Sequence, residues 1–234
     1  MAVSRNRFYK EVSVATGDGL HRVLLDGKPV KTPGGAVLAL PSEALAQAIA
    51  DEWRTQDTTI RPQTMLLTKL ANTAIDRVAP NPAHAREQLL SIAKSDVVCY
   101  RAASPSELVR RQECEWDPII AWTREHFGAS LCARNFLTFI EQDQAAMDAL
   151  AASLSKLDAF SLAALYAASS LCGSLLIALA LADRKLDSEQ AFAAANLDKI
   201  YQAERWGWDQ QETAKATVER AELNQISRFL ELLR

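Results

Sequence analysis

The apolar residues of this chain change their spacing once, near residue 41, and that change limits the folds open to it. Before it they follow a two-residue period. Phe8 to Ala15 alternates and carries Val12 and Val14, and Leu20 to Asp26 resumes the pattern. Gly17-Asp18-Gly19 and Gly27-Lys28-Pro29 read as turns between these runs. Val30-Lys31-Thr32 is short and stops at Pro33-Gly34-Gly35, and Ala36 to Leu40 is a further strand. Short strands so spaced predict a small twisted antiparallel sheet or partial barrel.

After the change the period is helical. Pro41-Ser42-Glu43 opens a helix with Ser42 as N-cap, and Leu45, Ile49 and Trp53 share one face at steps of four. Thr58 to Pro62 interrupts it, and from Thr64 almost everything is helical. The spacing predicts helices over Met65 to Val78, from Asn81-Pro82 onward, and over Ser106 to Phe127. Pro118 should kink or restart the last of these. Further helices are expected over Asp143 to Leu157, Ala159 to Ala182, Ser188 to Trp206 and Gln210 to Leu233, with Gly173-Ser174 in mid-helix. Asp96 to Arg101 reads as extended, Asp76 and Asp96 as helix-end charges, and Leu131 to Phe139 is ambiguous. The fold class is therefore α+β. A small antiparallel β domain, residues 1–60 and ending in a first helix, packs on a larger helical domain, residues 61–234.

Composition removes several functions. The formal net charge of −3 argues against a general binder of nucleic acid or anionic membrane. Cys99, Cys114, Cys132 and Cys172 form no CxxC pair and read as reduced, mostly buried thiols. His21, His84 and His126 lie in no metal-spacing motif, so neither a metal nor another cofactor is expected. No phosphate-binding glycine loop and no G-x-S-x-G elbow occurs. The start of the chain shows no secretory signal. The uncharged run from Ala159 to Ala182 could span a bilayer by length. Its Ala and Ser content favours a buried bundle helix, so no stable membrane insertion is expected.

All five tryptophans sit in short charged segments: Glu52-Trp53-Arg54, Glu115-Trp116-Asp117, Trp122-Thr123-Arg124 and Arg205-Trp206-Gly207-Trp208-Asp209. Indoles flanked by charge suit a surface apolar at its centre and wet at its rim, which describes a protein-binding face. The sharpest candidate is one helix stripe. Asp198, Tyr201, Gln202, Arg205 and Trp206 follow i, i+3, i+4, i+7, i+8 spacing and mix polar with aromatic side chains where a core stripe would hold Leu or Ile. Packing of that stripe against the last helix is the competing explanation. The alternative function is a small enzyme of unrecognised class using acidic residues of the helical domain, with Glu115 near His126.

Several ordered segments resemble the F1-ATPase assembly chaperones that attend the α subunit in mitochondria and α-proteobacteria. They are Arg7-Phe8-Tyr9, Leu25-Asp26-Gly27-Lys28-Pro29 with Lys31-Thr32-Pro33, Glu52-Trp53 with Gln56, and Leu70 to Asp76. Cys99-Tyr100-Arg101, Gln112 to Trp122, and Tyr201-Gln202 with Trp206-Gly207 complete the series. The resemblance implies a non-enzymatic, ATP-independent chaperone that binds unassembled α subunit until β subunit displaces it. It implies that Asp198 stands where the family has its functionally important acidic residue. Trp53, which shares a helix face with Leu45 and Ile49, reads as structural rather than contacting. A monomer is the simplest state. The compartment implied is a bacterial cytoplasm, or the mitochondrial matrix for eukaryotic relatives.

Overall fold

A computed structural model describes residues 5–135, 141–207 and 209–234 of the chain. The expectation for Leu131 to Phe139 falls partly outside these residues, and that for Trp208 wholly so.

The strands come first: β1 (Arg5–Asn6), β2 (Val12–Gly17), β3 (Leu20–Leu25), β4 (Lys28–Pro29) and β5 (Ala39–Leu40). β2 and β3 form a hairpin with Val14 opposite Val23. Asp18 and Gly19 both take positive φ, 56° and 71°, as the favoured two-residue hairpin turn requires. The next turn is Asp26-Gly27 (φ 48° and 77°), so Lys28 and Pro29 belong to a strand and not to the turn expected there. β4 and β5 both pair with the far edge of β3.

α1 (Glu43–Arg54) begins at the expected N-cap: the Ser42 hydroxyl accepts the Leu45 N–H at 3.1 Å and itself donates to the Leu232 carbonyl. β6 (Thr59–Ile60) returns to pair with β1. α2 (Leu66–Thr73) runs into a single π-helical turn, Ala74–Val78, and α3 (Pro82–Lys94) follows. A 3-10 turn over Val97–Cys99 and β7 (Tyr100–Arg101) precede α4 (Ser106–Phe127). α4 is continuous through Pro118. Pro118 and Cys114, whose carbonyl loses its donor, are both exposed, so water can take that carbonyl and no restart is needed. β8 (Arg134–Asn135) pairs parallel to β7, and α5 spans Gln144–Leu154.

The uncharged run is two helices, α6 (Ala159–Cys172) and α7 (Leu175–Ala182). Gly173 sits at φ 63° and Ser174 is extended, its hydroxyl capping Ile177 N–H at 3.0 Å. The mid-helix placement of this pair is thereby corrected: only glycine adopts that φ without strain. No helix among the described residues is long and apolar enough to cross a membrane. The stretch expected as one helix from Ser188 is likewise α8 (Ser188–Ala195) and α9 (Leu197–Trp206), divided at Asn196. α10 covers Gln210–Leu232.

The chain divides into two compact units, which do not follow chain order. One holds Met1–Pro82, Asp158–Ala164 and Arg228–Arg234; the other holds Ala83–Leu157 and Leu165–Ser227. The first has its core in Val23, Leu38, Leu40, Leu45, Ile49 and Leu67; the second in Trp116, Leu150, Leu154, Leu165 and Ile226.

The two acidic residues read as helix-end charges do stand at helix ends, and each also binds donors remote in sequence. Asp76 ties a loop to the π-turn: its carboxylate accepts the Thr32 hydroxyl at 2.6 Å and the Gly34 N–H at 2.8 Å. Asp96 is fully buried and accepts N–H donors from Val98 (3.2 Å) and Leu176 (3.1 Å), so it caps α7 from a distant part of the chain. Burial pushes its carboxyl up to about 6. The thiols are free, as expected, though Cys114 is exposed and Cys132 partly so. Burial pushes Cys99 and Cys172 up to about 12, which leaves them poor nucleophiles.

A candidate partner-binding face

The helical unit presents a polar and aromatic face built on α4 and α9. α9 places Asp198 in its first turn and Arg205 in its last, each on the favourable end of the helix dipole. Gly207 ends it at φ 81°. Its buried side is Leu197 and Tyr201, Ile200 and Ala203 are half-buried, and the polar residues other than Asp198 are exposed.

The five stripe residues divide into two roles. Tyr201 is buried, its hydroxyl without a hydrogen-bond partner among the described residues. Guanidinium groups flank its ring, Arg205 at 4.4 Å and Arg111 at 5.2 Å from the centroid. Those two arginines are held by carboxylates. Arg111 binds Glu204 at 2.6 Å and Glu107 at 3.2 Å, and Arg205 binds the other oxygen of Glu107. The tyrosine is thus the post around which an exposed ion network is fixed. Single surface pairs contribute little, but a shared network holds long side chains in register. Gln202, Arg205 and Trp206 face outward, and Trp206 is 78% exposed. An indole so exposed at a helix end buries almost nothing within its own chain.

Asp198 is half-buried and its position is set from α4: the Gln112 side-chain amide donates to it at 2.7 Å. Gln112 is 1% exposed and uses every polar group it has. Its Oε1 accepts the Ala102 N–H at 2.8 Å and its backbone carbonyl accepts Arg101 at 2.7 Å. Arg101 also binds Asp117 at 2.7 Å and lies over the Trp116 ring. The Gln112 to Trp122 segment therefore scaffolds the α9 face instead of forming part of it. Sequence reasoning passed over Gln112, although a glutamine among charged residues at a core-facing helix position was the available signal.

The tryptophans do not form one surface. Trp116 is 1% exposed and its indole donates to the Ala194 carbonyl at 2.9 Å, so it is a core residue. Trp122 is half-buried and stacks on His126. Trp53, in the other unit, is half-buried, its indole nitrogen without a hydrogen-bond partner among the described residues. Among the described tryptophans, Trp206 alone fits the exposed-anchor expectation.

Glu115 and His126 are not brought together. They lie eleven residues apart on one helix, about 16 Å along its axis. Glu115 lines a groove of 410 Å³ beside Glu107 and Leu197, whereas His126 pairs with Asp183 at 3.0 Å. No group of three or more potential metal ligands occurs among the described residues.

Residues 6–124 match the model of the ATP12 chaperone protein family, just over half of the chain. The chain belongs to the ATP12 chaperone family. This is a family of chaperones for assembly of the F1-ATPase. Its mitochondrial relative in Schizosaccharomyces pombe, protein atp12, is 29% identical over 217 residues, covering 87% of this chain and 74% of that one. The crystal structure of Atp12 from Paracoccus denitrificans superposes with a TM-score of 0.92 at 38% identity, covering 98% of both chains. An Asp-to-Lys mutant of the Paracoccus protein gives the same score and coverage. A crystal structure from Agrobacterium tumefaciens matches at TM-score 0.94 and 38% identity, over 99% of this chain and 87% of that one. The α+β class expected from the period change is the class of the Paracoccus Atp12 structures. The family-model match ends within α4, so it contains Gln112 and Trp116 but not α9.

Proposed function

We propose that this ATP12-family chain is an ATP-independent chaperone that binds the unassembled F1-ATPase α subunit. It masks the surface that β subunit will cover and then releases it for assembly. The reading rests chiefly on Trp206, an exposed indole beside a fixed network of charges at the end of α9. An unassembled subunit exposes apolar interface, and such patches aggregate. A holder that must be displaced suits a face with one aromatic anchor and a polar rim better than a wide apolar groove.

In this reading Gln202, Arg205 and Trp206 touch the α subunit, and Asp198 presents its carboxylate from the position Gln112 sets. Tyr201 positions Arg205 and does not itself touch the partner. The work is done by binding alone, without turnover or cofactor. A single copy suffices, and the compartment is the one where F1 is built, a bacterial cytoplasm or a mitochondrial matrix. The test is co-expression of F1 α subunit with this chain, scoring soluble α subunit. Retention of soluble α by the unmodified chain and its loss with Trp206→Ala is the expected result. Equal precipitation of α with and without the chain would end the proposal.

A further inference from the structure

The first unit carries a second surface that the α9 face does not use. A groove of 710 Å³ opens there, of a size that holds a peptide segment or a drug-sized ligand. Its wall is a ladder of three aromatics. Phe8 meets Tyr9 edge-on at 5.4 Å, and Tyr9 meets Trp53 edge-on at 5.7 Å. Tyr9 is fixed, buried under the Arg7 guanidinium, with its hydroxyl donating to the Trp53 carbonyl at 2.7 Å. Phe8 is 62% exposed at the mouth. The Trp53 indole nitrogen is itself buried and has no hydrogen-bond partner among the described residues.

The charge of this groove runs against that of the whole chain, which is net −3. Lys28 and Lys31 line it, both are exposed, and neither joins an ion pair among the described residues. Asp26 is the acidic residue of the lining, one carboxylate against two ammonium groups, and part of it is engaged within the chain. One oxygen accepts the Lys10 and Glu11 N–H groups at 3.0 and 2.8 Å, and those bonds hold its pKa below the usual carboxylate range. Arg7, over the Tyr9 ring, adds a positive charge behind that wall residue and donates to the carbonyls of Tyr9, Lys10 and Gln56. Two exposed ammonium groups beside an aromatic wall fit carboxylates flanked by apolar side chains.

We infer that this groove docks an acidic, apolar-flanked segment of the same unassembled α subunit, as a second point of attachment. The inference rests on the reading under Proposed function. Two modest sites on one client would give firm holding through effective concentration while each contact stays weak enough to be displaced in turn.

The test uses the full chain and purified F1 α subunit, comparing Lys28→Glu/Lys31→Glu, Phe8→Ala and Asp198→Lys with the unmodified protein. Circular dichroism and Tm check that each variant is folded. The double lysine reversal is expected to weaken α binding about tenfold at low salt, with the deficit shrinking as salt rises. Lys28→Gln/Lys31→Gln should fall between. Photo-crosslinking from position 8 should map to an acidic segment of α. Unchanged binding by the lysine and Phe8 variants, with Asp198→Lys still defective, overturns the groove and leaves the α9 face standing. Crosslinks to a neutral or basic segment overturn it as well. Failure of the unmodified chain to bind α ends both readings.

Discussion

Gln112 and Asp198, 86 residues apart in sequence, are joined by one hydrogen bond of 2.7 Å that fixes a carboxylate at the edge of the α9 face. Because Gln112 is buried and otherwise satisfied, Asp198 is both a surface charge and the last partner of a core amide. Asp198→Asn keeps an acceptor for Gln112 and removes the charge. It should leave Tm nearly unchanged and weaken α binding. Asp198→Lys offers only donors, so it strands the Gln112 amide and should cost about 1–3 kcal/mol as well as abolishing binding. Urea titration beside a pull-down separates the two effects. A loss of binding in the Lys variant alone would mean that structure, not charge, is what Asp198 supplies.

Trp206 and Trp116 should respond in opposite ways to truncation. Trp206→Ala removes an indole 78% exposed and should move stability by no more than about 0.5 kcal/mol while costing at least tenfold in affinity for α. Trp116→Ala empties a fully buried site and breaks the bond to Ala194, and should cost about 3–5 kcal/mol. Denaturant midpoints with intrinsic fluorescence decide both.

Asp96 predicts an unusual sign of pH dependence. Its carboxyl ionises near 3.8 when unfolded and about 6 when folded. Between those values the folded chain binds the extra proton, so this group's contribution falls as pH rises through the window. The loss is about 3 kcal/mol and is complete above it. Stability curves of the unmodified chain and Asp96→Asn, taken from pH 4 to 7, should therefore converge or cross as the former declines relative to the latter. Parallel curves would show that Asp96 keeps an ordinary pKa in the fold.

Glu52 of the Glu-Trp pair is a cap supplied from another helix. Its carboxylate accepts the N–H groups of Leu67 and Thr68, both at 2.8 Å, and the Thr68 hydroxyl at 2.7 Å. α2 has no side-chain cap of its own, so Glu52→Ala should cost about 1–3 kcal/mol through freed donors. Faster amide hydrogen exchange confined to the first turn of α2 is the specific signature.

What could be read from the residues was whatever local spacing controls. The change of period near residue 41, the Ser42 cap and the hairpin turn at Asp18-Gly19 all depend on neighbours a few positions apart. The breaks at Gly173 and Asn196 were hidden because the apolar pattern continues across them and only the backbone angles change. The work of Asp76, Asp96, Glu52 and Gln112 was hidden for another reason. Each serves donors that are remote in sequence, and a carboxylate or amide in a linear chain does not announce which N–H it will meet. Charge flanking a tryptophan proved ambiguous for the same cause: around Trp116 the charges belong to its scaffold, around Trp206 to a free rim.

Joined end to end, α6 and α7 would make one rod of greasy residues about 36 Å long, ample to thread a lipid hydrocarbon layer. The left-handed turn at Gly173 cuts it into pieces of 14 and 8 residues, neither with the reach. A residue without a side chain thus divides what would otherwise be a single bilayer-length rod into two helices that can each be buried inside the fold.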